Sequence, residues 1–301
     1  MTDKKETHLG LRDEAKGLSA SRRIYNMGMR TVIYISAIIV VALLIFLLGY
    51  ILYRGLPNLS WGFLTSEESV VKDIQGIGPA ILNTLYVIIA TLIVVLPLGV
   101  GAAIYLTEYA TNRKLVSAIE FATETLAGIP SIIYALVGVL VFAESLALGK
   151  TLIAGAFTLV IMVLPTVIRT TQESLKTVPQ SYREGSLGLG SGKWHMIRTV
   201  VLPSSIDGIV TSCILAIGRI VGESAVLLYT VGMSMQMQDF FRNGLESFFS
   251  ASGSTLSVAL YVYAKVRADF DLAFSVAVVL IIITLVINLA ANLAGKKLKR
   301  Q

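Results

Sequence analysis

The chain has 301 residues, 55% of them hydrophobic and 15% charged, with a mean hydropathy of +0.76 and a formal net charge of +6. A soluble domain carries about 25% charged residues, so this composition excludes an ordinary one. The single cysteine, Cys213, excludes an intrachain disulfide and a cysteine metal cluster, and His8 and His195 are too few and too far apart for a zinc-type site.

A helix needs about 20 mostly apolar residues to cross the hydrocarbon core, so the length of each uncharged run decides the class. Residues 1–30 are polar and read as a flexible segment, too long a lead for a cleaved signal peptide. The first span is expected at 31–53. An outer loop, Gly55 to Asp73, follows, with Trp61 and Phe63 placed for the membrane interface. The next spans are expected at 81–106, 125–143 and 151–169. Residues 170–205 form a long polar connection, and the fifth span, 206–228, is apolar except for Arg219 and Glu223. The connection from Tyr229 to Asp271 includes Leu256 to Val266, too short to cross and expected to pack or to lie at the interface. A sixth span at 272–294 and a basic tail, 296–301, complete an all-α membrane protein with its transmembrane domain over 31–295.

The net charge could suggest nucleic acid, but its distribution points elsewhere. With the N-terminus in the cytoplasm, 18 of the 25 basic residues fall on that side, which predicts both termini there and no nucleic-acid partner. Pro97, Pro130 and Pro165 sit within or at the edge of spans and predict kinks buried among helices. Gly99/Ala103 and Gly218/Gly222 have the small-xxx-small spacing that lets helix backbones approach closely, for the first pair as ordinary packing.

The connection 170–205 predicts two short helices. One is expected from about Gln172 to Ser186, ended by Gly185, Gly188, Gly190 and Gly192; the second runs from Lys193 until Pro203 stops it. Gly190-Ser-Gly-Lys193 imitates part of a P-loop. That motif needs Gly at 187 and Ser or Thr at 194, where Leu187 and Trp194 stand, so no ATP is expected on this chain. The pattern Glu184-Gly185-Ser186, three residues, Gly190, nine residues, then Val200-Val-Leu202-Pro203 resembles the EAA loop of ABC importer permeases. It departs from the family at Gly185, Ser186 and Val200. The resemblance implies that Glu184, Gly185, Ser186, Gly190, Leu202 and Pro203 couple the membrane helices to a separate ATPase. The bland alternative is a solvated loop.

Arg219 and Glu223 are the only charges well inside an expected span, and each costs roughly 2.5–3.5 kcal/mol at a helix centre on insertion scales. Their four-residue spacing predicts one shared face, either as a buried ion pair fixing helix register or as an anion-capable cation steadied by its neighbour. Arg169, at the inner end of the fourth span, is a further candidate; it could equally be a snorkelling anchor.

Gly218-Arg-Ile-Val-Gly-Glu-Ser-Ala225 with Leu227-Leu228 resembles the fifth-span signature of the PstA family of phosphate importer permeases, as do Gly128-Ile-Pro-Ser-Ile-Ile-Tyr134 and Gly76-Ile-Gly-Pro-Ala80. That resemblance implies a six-span, type I ABC importer permease (MetI-like) in a prokaryotic cytoplasmic membrane. It also implies a heterodimer with a PstC permease, a PstB ATPase dimer holding ATP and magnesium, and an extracytoplasmic phosphate-binding protein. Arg219, and with it Glu223, would serve phosphate passage, with no catalytic residue, metal or cofactor on this chain. The rivals are the same architecture carrying molybdate or sulfate, or an ion-coupled secondary transporter.

Overall fold

A computed structural model of the protein describes residues 20–68, 75–234 and 249–298. Most of the expected N-terminal segment, the end of the basic tail and parts of both outer connections lie outside these. Contacts divide the chain into two units, Met1–Tyr53 and Arg54–Gln301. In the first, one helix fills the described part; as α1 it runs over Ala20–Gly55, well ahead of the first uncharged run. Its apolar side chains are exposed from Ile24 to Leu48, which suits a helix bathed in lipid.

In the second unit, α2 (Trp61–Thr65) is a single turn whose Ser60 Oγ accepts from Phe63 N at 3.1 Å. Phe63 is buried in the core, whereas Trp61 is exposed, so only one of the two expected interface aromatics lies on the surface. α3 (Gly78–Ile104) begins with Pro79 in its first turn, where a missing N–H costs nothing, and continues through a wide turn over Tyr105–Tyr109. α6 (Leu152–Lys176) is the central helix: 67% of its apolar window is buried, against 33% for α3. Gly99 lets α3 meet it, because a Cβ there would stand 2.6 Å from Val167 Cγ1.

The expected third span, 125–143, bends at Pro130, where a kink is expected: α4 (Arg113–Ala127), most of it in the expected inner connection, and α5 (Ser131–Gly138, extended to Ser145) meet at 97°. Pro130, with ψ 139°, has left the helical region, and the Tyr134 hydroxyl donates to Leu126 O at 2.7 Å across the bend. The 15 residues of α5 and its extension rise only about 22 Å, short of the roughly 30 Å core. Among the described residues, five helices are long and apolar enough to cross a membrane, and six if the bent pair counts as one.

The polar connection also differs from expectation. α6 runs to Lys176 and breaks before Pro179, so the next helix, α7, covers Gln180–Gly188 rather than starting at Gln172. Pro203 does not end the second helix. α8 (Lys193–Met196) passes through a wide turn, Ile197–Val201, into α9 (Leu202–Gly222), giving one helix from Lys193 to Gly222. The wide turn lies just before Pro203, whose missing N–H would leave a carbonyl of the preceding turn unpaired, and it absorbs the irregularity. After α10 (Ala225–Thr230), α11 (Leu256–Tyr261, extended to Val266) tucks back into the bundle, with Leu256, Val258, Ala259 and Tyr263 fully buried. It is the short segment expected to pack. α12 (Phe270–Leu298) closes the unit.

Candidate functional site

Lipid gives apolar side chains no reason to prefer a neighbouring helix, so transmembrane helices associate through close packing and polar contacts. The antiparallel pair α6 and α9 uses both. Gly208 leaves the space that the Ser174 side chain occupies. Polar rungs then climb the seam: Ser174 Oγ donates to Ser205 O at 3.0 Å, Thr171 Oγ1 to Ser212 Oγ at 3.4 Å, and Arg219 Nη1 to Thr166 Oγ1 at 3.0 Å. Arg219 therefore ends a ladder of neutral groups. Among the described residues its guanidinium makes that one hydrogen bond and no ion pair, which leaves most of its five N–H donors and its full charge available.

The expected pairing with Glu223 does not form. α9 stops at Gly222 and Glu223 is extended, with φ −83° and ψ 115°, so the four-residue spacing no longer places both charges on one face. Glu223 instead bridges a break. Its Oε1 accepts from Val226 N at 3.1 Å, capping α10, and its carbonyl accepts from Ser257 Oγ of α11 at 2.8 Å. Arg169 is committed too, to Glu124 at 3.0 Å and Glu173 at 3.2 Å, beside a Lys176–Glu120 pair at 3.2 Å.

Ser204, Asp207, Thr211, Leu215, Gly218 and Gly222 recur every three or four residues along α9, and all are exposed. A Cβ at Gly218 or Gly222 would meet nothing within 4 Å. Apart from Leu215, the stripe beside Arg219 is made of small and polar groups, the reverse of a lipid-facing surface.

At the basic end, α7 and α8 form a hairpin. Gly190 turns it at φ +86°, a conformation only glycine adopts without strain. Ser191 Oγ locks the turn, donating to Ser186 O and meeting Ser186 Oγ, both at 2.7 Å. The tip presents Tyr182, Leu187, Leu189 and Trp194, with Leu189 91% exposed, and Glu184 is exposed among them. Arg183 fixes the base. Its Nη2 and Nε reach Glu108 Oε1 at 2.9 and 3.1 Å, Nη2 also donates to Leu175 O at 2.8 Å, and Nη1 to Val178 O. Beneath it Ala103, Ile104, Leu175, Val178, Met196, Ile197 and Val201 form a small separate core. Lys193 Nζ lies 5.0 Å from the centre of the Tyr109 ring.

A membrane bundle with a rigid apolar hairpin at one end matches a known family. Residues 95–301 fit the model of the binding-protein-dependent transport system inner membrane component. The chain belongs to that family. It is 37% identical over 204 residues to a probable ABC transporter permease protein, YqgI, of Bacillus subtilis, covering 68% of this chain and 69% of that one. It is 32% identical over 240 residues to the phosphate transport system permease protein PstA 1 of Mycobacterium tuberculosis H37Rv, covering 76% of each. Over 213 residues it is 32% identical to PstA of Haemophilus influenzae, covering 69% of this chain and 74% of that one.

Solved relatives share the fold at lower identity. A MetNI methionine ABC transporter, inward facing, aligns with a TM-score of 0.58 at 20% identity, over 74% of this chain and 94% of its own. A bacterial alginate ABC transporter aligns at 0.61 and 15%, over 91% and 99%. The chain is thus a multi-pass permease of the cytoplasmic membrane, a transport subunit rather than an enzyme. An ABC importer permease works with an ATPase and a substrate-binding protein.

Of the sequence-predicted residues, Glu184, Gly185, Ser186 and Gly190 share the hairpin, while Leu202 and Pro203 follow the wide turn that joins it to α9. Thr166, Arg183 and Glu108 escaped the sequence reading. Arg183 adjoins Glu184, but nothing local marks a partner 75 residues away.

Proposed function

We propose that this permease moves inorganic phosphate inward, paired with a PstC-type permease, driven by a PstB-type ATPase dimer and supplied by an extracytoplasmic phosphate-binding protein. The observation that carries the reading is Arg219, a cation in a spanning helix bonded to a hydroxyl instead of a carboxylate. A guanidinium donates two parallel hydrogen bonds to one tetrahedral oxyanion, and an uncompensated intramembrane charge is kept where it has work to do. The PstA relatives, at 32% identity, favour phosphate among the oxyanions.

The path runs along the exposed stripe of α9, with Arg219 facing the second permease. Glu223 holds the break above it, and Arg169 ties the acidic C-terminal half of α4 to α6. The basic end faces the cytoplasm, as the charge distribution asks. There Glu184, Gly185, Ser186, Gly190, Leu202 and Pro203 belong to the ATPase-coupling element, because α8 and α9 transmit a push on the hairpin along one helix. ATP and magnesium belong to the ATPase.

The test is ATP-driven uptake of labelled phosphate into vesicles holding all partners, challenged with sulfate and molybdate. Arg219→Gln should abolish uptake while the importer still assembles. Near-normal uptake by that variant removes the substrate-path role. Stronger competition by molybdate or sulfate moves the reading to another oxyanion, and uptake driven by an ion gradient without the ATPase ends the importer reading.

A further inference from the structure

We infer that Thr166 is the second half of the anion site: its hydroxyl oxygen holds Arg219 in place without neutralising it, and its hydroxyl proton is presented to the same passing oxyanion. The inference rests on the proposed role of Arg219.

A helical threonine ordinarily spends its hydroxyl proton on the carbonyl four residues back. Thr84, Thr158, Thr170, Thr230 and Thr284 all do so here, at 2.6–2.8 Å. Thr166 does not. Among the described residues its Oγ1 accepts from Arg219 Nη1 and donates to no carbonyl. Both Thr166 and Arg219 are only partly buried, so the pair is not sealed within the bundle. Tyr134, whose hydroxyl lies in the field of Arg219, has already given its proton to Leu126 O. The uncommitted proton beside the cation is therefore that of Thr166.

The chemistry needs a neutral holder. A carboxylate at 166 would fix the guanidinium more firmly, but it would cancel the charge that attracts the anion and repel the anion itself. A hydroxyl accepts one N–H, leaves the positive charge intact and can still donate. It also orients a long side chain that otherwise has many rotamers.

Three substitutions in the assembled importer, in vesicles with labelled inorganic phosphate, separate this from plain packing. Thr166→Ser keeps the hydroxyl and should transport within about twofold of the unaltered importer. Thr166→Val keeps the shape, and phosphate moved per ATP hydrolysed should fall about ten- to a hundredfold, the usual weight of a hydrogen bond to a charged group. The ATPase rate stimulated by loaded binding protein should persist. Thr166→Asp should pair with Arg219 and reduce uptake to background, with normal co-purification of the ATPase. If Arg219→Gln abolishes uptake while Thr166→Val and Thr166→Asp transport normally, the assignment of Thr166 is wrong and the role of Arg219 stands. If Arg219→Gln transports normally, the underlying reading fails first. An ATPase rate that collapses together with uptake in Thr166→Val, or no recovery in Thr166→Ser, would mean a structural role and overturn the inference.

Discussion

Arg183 shows how much one side chain carries at the basic end. Its side chain is 12% exposed and that of its partner Glu108 6%, so both charges are largely withdrawn from water and each depends on the other. Arg183 also donates to the carbonyl of Leu175, in the last turn of α6, and to that of Val178, just before Pro179. Removing one partner of such a pair costs about 3–5 kcal/mol, because a buried charge is left alone. Arg183→Met should therefore lower the melting temperature of the purified permease complex markedly. Glu108→Gln combined with Arg183→Met should cost less than the two single changes together. Strict additivity in that double-mutant cycle would show that the two residues do not act as a pair. Lysine at 183 should recover only part of the loss, since a single ammonium cannot serve Glu108 and two carbonyls in fixed directions.

At the scale of elements, the break between α9 and α10 separates two accounts of Glu223. If the carboxylate matters as a cap on Val226 N, Glu223→Gln retains an acceptor and should transport at close to the normal rate. Glu223→Ala should weaken the start of α10 by roughly 0.5–2 kcal/mol, seen as faster amide hydrogen exchange across 225–230. Loss of uptake in Glu223→Gln with unchanged exchange would restore a role for the charge itself. The sequence could not reveal this break. Val221-Gly-Glu-Ser-Ala225 has no proline, and its apolar flanks look continuous. The Ser257 hydroxyl that donates to the Glu223 carbonyl comes from a segment 34 residues on. Pro203 misled in the opposite sense, since a proline normally stops a helix, but the wide turn over Ile197–Val201 carries the chain through. Apolar runs located the spanning segments, because crossing lipid is a local requirement of length. Pro130 marked the kink that appears as the bend of α4 on α5, but not its size or the Tyr134–Leu126 bond across it. Thr166 was illegible because its role depends on the register of α6 against α9.

At the scale of the whole molecule, one continuous helix joins these pieces. Lys193 to Gly222 is 30 residues of helix, about 45 Å at 1.5 Å per residue, with the hairpin at one end and Arg219 one turn from the other. A displacement of the hairpin therefore reaches the α6–α9 seam as a rigid-body movement, provided the hairpin grips whatever pushes it. The surface that the proposed coupling would use is Leu189 and Trp194, which are 91% and 59% exposed on a locked turn. Apolar side chains at a turn tip in water stabilise nothing within the chain, and aromatic anchors dominate binding energy where they are buried by a partner. Leu189→Asp and Trp194→Glu should leave membrane insertion and thermal stability within about 0.5 kcal/mol of normal, as surface changes do. Together they should strip the ATPase during purification and stop ATP-driven uptake. The control is Gly190→Ala, which keeps both apolar groups but strains the turn at φ +86°, and should weaken ATPase retention without abolishing it. If the two charged variants retained the ATPase at full stoichiometry, the hairpin tip would not be the coupling surface, and the long helix would have no driver.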